Sequence, residues 1–260
     1  GYAALYLSVI VLLPLSVLIL RASTLGLFGI WKIATEERVA AALKLSFGMS
    51  LAAAVVDSAF GLLVAWVLTR YRFPGRKLVD AAVDLPFAIP TAVAGIALAA
   101  LYAPTGWIGN LAAHIGLRIA FTPLGVFVAL VFVGLPFAVR TVQPLIAELD
   151  RELEEAAATL GASRTRTIWT VLLPPLIPAV LTGFTLAFAR SVGEYGSVIF
   201  IAGNVPYVSE IAPLLIVVKL EEYNYAGATA IAPVMLAISF ATLLAINMLQ
   251  AFSRRRFGHV

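Results

Sequence analysis

The chain has no cysteine, two histidines and little charge: Asp, Glu, Lys and Arg together make up 12% of its 260 residues. Without cysteine there is no disulfide framework, no thiolate metal site and no thiol nucleophile. His114, expected in an external loop, and His259, near the C-terminus, offer no paired base, and no Gly-x-Ser-x-Gly occurs, so an intramembrane protease finds no support. Also missing is a Gly-x-x-x-x-Gly-Lys-Ser/Thr phosphate loop, so ATP hydrolysis is not expected of this chain. What fills the space is hydrocarbon. Hydrophobic residues reach 62% and the mean hydropathy is +0.99, well beyond soluble globular domains.

A span needs about 20 apolar residues, so a chain of this length holds roughly six with short connections, in a single membrane domain over residues 1–260. Six apolar stretches stand out: Tyr2–Leu20, Leu43–Thr69, Leu78–Tyr102, Thr122–Val139, Leu176–Ala202 and Ala226–Phe252. The first lacks a basic leader and an A-x-A cleavage signal, which predicts a retained helix. With Gly1 in place of an initiating Met, a short cytoplasmic segment is expected ahead of it. Leu85-Pro86-Phe87-Ala88-Ile89-Pro90 predicts a kink in the third stretch. No internal repeat is evident, which weakens an inverted-repeat transporter.

The net charge of +4 reports topology, because the cations gather between the apolar stretches. Arg70, Arg72, Arg76 and Lys77 crowd the second connection, Arg140, Arg151, Arg164 and Arg166 flank the fourth, and Arg254–Arg256 close the chain. The Lys/Arg bias therefore puts these segments and both termini in the cytoplasm. Tyr102, Trp107 and Tyr207 read as interfacial belt residues.

The connection at about 141–175 differs from the others. Leu149, Leu153, Ala156, Ala157 and Leu160 fall on one helical face, with Glu148, Asp150, Arg151, Glu152 and Glu154 elsewhere, too short and charged to span. Gly161 predicts a left-handed stop, Ser163 the N-cap of a second short helix, and Pro174-Pro175 its end. Amphipathicity alone would make this a helix lying on the bilayer. The order Glu155-Ala156-Ala157, Gly161, Val171, Leu173-Pro174 is more specific, and it resembles the EAA loop of ABC importer permeases, with Val171 where Ile is usual.

The resemblance extends along the chain. Leu85–Gly95 with Tyr102–Trp107, and Gly193–Val198 with Phe200–Asn204, are similar to the sulfate/thiosulfate permeases of the CysT type. That family implies an all-α polytopic fold of about six transmembrane helices with a cytoplasmic coupling helix, the type I ABC importer permease fold. It implies a non-catalytic subunit in the bacterial inner membrane that moves sulfate or thiosulfate by alternating access. Its partners would be a second homologous permease, two cytoplasmic ATPase subunits and an extracellular sulfate-binding protein. No cofactor would bind this chain, ATP and Mg belonging to the ATPases. The ATPase-coupling residues would be Glu148, Arg151, Glu154, Glu155, Ala156, Ala157, Gly161, Leu173 and Pro174. Molybdate or tungstate permeases share the EAA loop and remain an alternative, as does a proton-coupled secondary transporter.

Charges inside apolar stretches cost about 2.5–3.5 kcal/mol each on insertion scales, so they should face protein or water. Asp57, Asp84, Arg190 and Glu194 fall in this class, with Asp80 near a span's end. Arg190 and Glu194 stand four apart on one helical face, where they either neutralise each other or, with Tyr195, form a cationic step for an anion. Asp57 and Asp84 are expected to contact helix ends or a neighbouring subunit, since carboxylates repel an anion. Gly193 and Gly196 are expected to permit close helix approach.

Overall fold

The computed structural model describes residues 2–150 and 152–257, and no strand occurs among them. The first apolar stretch folds as α1 (Tyr2–Leu7) and α2 (Leu13–Ser23), joined by a π turn at Ser8–Leu12. Then come α3 (Gly26–Ala34), α4 (Glu37–Arg70), α5 (Arg76–Val83), α6 (Leu85–Ala88), α7 (Thr91–Tyr102), α8 (Trp107–His114) and α9 (Pro123–Glu148). The rest of the chain forms α10 (Glu152–Thr159), α11 (Arg164–Thr167), α12 (Leu173–Val192), α13 (Gly196–Ala202), α14 (Ala212–Glu221) and α15 (Tyr225–Phe257).

Among the described residues, five helices are long and apolar enough to cross a membrane: Leu5–Ser23, Glu37–Arg70, Pro123–Glu148, Arg164–Val192 and Tyr225–Met248. A sixth span exists if α7 and α8, bent 41° apart, are one. The expected stretch Leu78–Tyr102 is not one helix. Asp84 interrupts it, and Ile89 turns extended (φ −93°, ψ 131°) ahead of Pro90, whose ring disfavours a helical residue before it. The fifth stretch also breaks, between Val192 and Gly196.

Two boundaries move the other way. Helix α9 runs on past Val139 to Glu148, so the connection expected from residue 141 begins at Leu149. Pro174 and Pro175 do not end a helix, because a π turn at Ile168–Leu172 precedes them and the Leu173 N–H donates to the Ile168 carbonyl. The prolines have no N–H to place, and helix continues from Arg164 to Val192.

Helices α4, α9 and α12 form the centre of the fold, and small residues bring them together. Ala138 of α9 lies between Gly61 of α4 and Gly183 of α12. A Cβ on Gly61 would come within 2.6 Å of the Ala138 methyl, and one on Gly183 within 3.1 Å of its Cα. At the Arg70 end, Leu68, Val139, Ile146 and Leu176 pack around them. Toward the Glu37 end, α13 packs against α7 and the first turns of α9 through Val198, Ile201, Val126 and Leu130. Helix α14 returns beside α4 and α15, where Leu215 meets Val39, Leu43 and Ile231 and the Ala212 N–H donates to the Ser46 hydroxyl at 2.7 Å. The first span is peripheral: 6% of its apolar window is buried, against 56% for α9. Its exposed Leu13, Leu20 and neighbours face a medium that must be lipid or another subunit.

Candidate functional site: a broken helix and an exposed elbow

Glu194 sits where the fifth stretch breaks. Helix α12 ends at Val192, so Arg190 and Glu194 do not share one continuous helix face as the spacing suggested. The chain turns and Glu194 reaches forward and back at once. Its Oε1 accepts from the Ser197 N–H and the Ser197 hydroxyl, both at 2.8 Å, which caps the start of α13. Its Oε2 meets Arg190 Nη1 at 2.6 Å. The Glu194 side chain is 2% exposed and that of Arg190 33%, so the carboxylate is enclosed while part of the guanidinium remains open. Tyr195 is half-buried against the Ile201 cluster. Gly196 does permit close approach, to Thr91 of α7, whereas a Cβ on Gly193 would meet only open space.

Asp57 departs from expectation. It contacts neither a helix end nor an outer surface of the chain. It is fully buried on α4, with neither carboxyl oxygen hydrogen-bonded among the described residues. Gly134 of α9 makes the room, since a side chain there would collide with Asp57 Oδ2, and Ala187 of α12 borders the same spot.

Asp84 and Asp80 share one partner that sequence reasoning used only for topology. Arg140 Nε and Nη2 donate to the two Asp84 oxygens at 2.8 and 2.7 Å, and Nη1 donates to Asp80 Oδ1 at 2.6 Å and Gln143 Oε1 at 2.5 Å. Nη2 also reaches the Asp80 carbonyl at 2.8 Å. Two acids one helical turn apart, across the break between α5 and α6, were a legible request for such a fork. Arg140 holds the Asp80 carboxyl below its ordinary range, chiefly by that hydrogen bond. At the far end of the core, Arg38 of α4 makes a similar fork to Glu210, with Nε at 2.8 Å and Nη2 at 2.7 Å. Neither Arg38 nor Glu210 was singled out from sequence; the extra basic and acidic residues beyond the span ends carried no periodic signal.

The connection from α9 to α12 forms an elbow. Leu149 leaves the helix (ψ 119°), so α10 starts at Glu152 and is shorter than the pattern promised. Glu148 stays on the end of α9, exposed, and Arg151 lies outside the described residues. Ala157 is buried, but Leu153, Glu155, Ala156 and Leu160 are exposed, Leu160 at 88%. Gly161 has φ +78°, the left-handed stop a glycine adopts cheaply, and the Ser163 hydroxyl accepts from the Arg166 N–H to start α11. Leu173 and Pro174, both half-buried, begin the α-helical part of the following span. Arg70 anchors the elbow by donating to the Leu149 carbonyl at 2.9 Å and lying 3.7 Å from Glu154, and Arg164 donates to the Tyr71 hydroxyl at 3.1 Å.

The family profile for the binding-protein-dependent transport system inner membrane component matches residues 57–258. The chain belongs to that family of membrane transport components, whose work is passage and not catalysis. Within it, the likeness is to permeases of the CysT type. Identity is 52% over 250 residues with the sulfate transport system permease protein CysT of Synechocystis sp., covering 96% of this chain and 87% of that one. It is 47% over 260 residues with the protein of the same name from Escherichia coli K12, covering 100% and 94%. Among solved structures, a bacterial ABC transporter that imports the acidic polysaccharide alginate superposes with a TM-score of 0.78 at 17% identity, over 97% of this chain and 92% of that one, and so shares the fold.

Proposed function

We propose that this chain is the permease subunit of an ATP-driven importer that moves sulfate, or thiosulfate, into the cytoplasm by alternating access. The observation that carries the reading is the elbow. Leu153 and Ala156 are left uncovered on α10, and Leu160 just past its end, beside Glu152, Glu154 and Glu155, and the connection is pinned to the core through Arg70. An apolar face left open on a polar surface is suited to a protein partner. A cytoplasmic ATPase subunit is that partner in this reading, with ATP and Mg bound on it and motion transmitted through Glu148, Glu154–Ala157, Gly161, Leu173 and Pro174. Sulfate follows from the near-full-length identity to proteins named as sulfate permeases. A second homologous permease, a second ATPase copy and an extracellular binding protein complete the assembly, with both termini of this chain cytoplasmic as the Lys/Arg bias requires. Arg190 and Glu194, with Tyr195, act as a gate at the helix break.

Gly161→Val tests this reading, because a β-branched residue at φ +78° strains the turn that aims α10. The expected result is ATP hydrolysis that no longer rises with substrate and binding protein, together with lost uptake of radiolabelled sulfate into proteoliposomes. Uptake and stimulated hydrolysis at the parent rates would remove the elbow from coupling.

A further inference from the structure

Beneath the elbow lies a polar cavity of about 270 Å³, lined by Trp66, Arg70, Tyr71, Glu154, Glu155 and Arg164. Trp66 is also a wall of a second, apolar groove of about 310 Å³, lined by Leu62, Leu63, Ile168, Leu172 and Leu176 among others. The two spaces therefore lie next to one indole that is a wall of both. The groove runs along α4 within the span, and the cavity opens where apolar sequence gives way to charge. Leu63 is 55% exposed, so the groove is open sideways. A molecule that fills both must be hydrocarbon along one part and polar at the end, and it must reach the site from within the membrane.

The charges narrow the polar end. Two guanidiniums and two carboxylates line the cavity, so an anion alone meets Glu154 and Glu155, and a cation alone meets Arg70 and Arg164. A zwitterion with both signs a few atoms apart answers all four. The arginines have capacity left. The Arg70 guanidinium lies 5.5 Å from the Trp66 ring centroid, its Nη2 donates to the Leu149 carbonyl, and its 3.7 Å approach to Glu154 is too long for a hydrogen bond. Arg164 uses one of its five donors on Tyr71. The carboxylates call for a donor, which favours a primary ammonium over a quaternary one that has no N–H.

We infer that the cavity and groove together hold one phospholipid with a primary-ammonium zwitterionic headgroup, of the phosphatidylethanolamine class. Its phosphate faces Arg70 and Arg164, its ammonium faces Glu154 and Glu155, and an acyl chain lies along Leu62, Leu63 and Leu176. This does not depend on the coupling reading, since lipid occupancy is measured without ATP.

The full chain, extracted in mild detergent with whatever subunits accompany it, is exchanged into nanodiscs holding equal amounts of phosphatidylethanolamine, phosphatidylcholine and phosphatidylglycerol with matched chains. Native mass spectrometry then reads the lipids retained per chain after release. Retention of one ethanolamine lipid, about tenfold over either competitor, is expected. Arg70→Gln should lower retention of every lipid, and Glu154→Gln with Glu155→Gln should shift preference toward the glycerol lipid. Leu63→Trp, at a membrane-facing position outside the charge cluster, should fill the groove and abolish retention while the chain elutes as before. Equal retention of the three lipids, or retention unchanged by Leu63→Trp, overturns the inference. So does a photo-reactive residue at position 63 that captures polypeptide instead of lipid.

Discussion

Two arginine forks sit at opposite ends of the same three-helix core. Arg38 grips Glu210, whose side chain is 1% exposed, and so fixes the segment that leads into α14. Arg140 grips Asp80 and Asp84, whose side chains are 43% and 49% exposed, and so fixes the broken run α5–α6. The chemistry is the same and the solvent is not. Burial makes one partner's loss leave a stranded charge, whereas water and ions stand ready to replace the other. The Glu37 end of the core is thus held by a contact that is costly to open, and the Arg70 end by one that is cheap.

The largest expected effect breaks the buried grip. Arg38→Met strands Glu210 and should cost about 3–5 kcal/mol, seen as early thermal unfolding in detergent. Adding Glu210→Gln should return most of that loss. If single and double variants melt together, burial is not what separates the two ends. Next in size is Arg190→Met, about 2–3 kcal/mol, because the Ser197 hydrogen bonds still hold Glu194. Combining it with Glu194→Gln should restore assembly. Sulfate uptake by the double variant then separates a neutralising pair, where transport returns, from a cationic step on the pathway, where it stays lost.

At the open grip, Asp84→Asn should cost about 0.5–1 kcal/mol, and the difference from the parent should shrink at 1 M salt, where the Debye length is about 3 Å. A loss as large as that of Arg38→Met would erase the contrast. The smallest effect is in pH. Because the folded Asp80 carboxyl is held below its free value of about 3.9, its contribution is complete above that value and fades as pH falls through the lowered one. Melting of parent and Asp80→Asn should differ at pH 6 and converge in acid.

Much of this was legible in the sequence. Apolar run length marked the first, second, fourth and sixth stretches but not the breaks in the third and fifth, and Gly161 and Ser163 marked the elbow's turns, because one residue's backbone preference decides each. What was hidden depends on distant neighbours. Asp57 reads as a charge without a place until Gly134, on another helix, is seen to make its room, and that room leaves both carboxyl oxygens without a partner among the described residues. The continuity through Pro174 was hidden because a proline normally stops a helix, and only a change of hydrogen-bond register upstream cancels that. Arg190 and Glu194 looked like one helical face because spacing is blind to a break at Gly193.

The π turn at Ile168–Leu172 has a consequence for chain length. Such a turn is a helix with one surplus residue, and each residue of an α-helix advances the phase by about 100°. Deleting one residue there would return the ladder to ordinary register without breaking it. The span and the elbow would both still form, and the elbow would keep nearly its present direction, because the wide turn already absorbs the surplus residue. The same deletion inside an ordinary stretch of helix would turn everything beyond it by about 100°, so this one turn is where the chain can lose a codon without re-aiming the elbow.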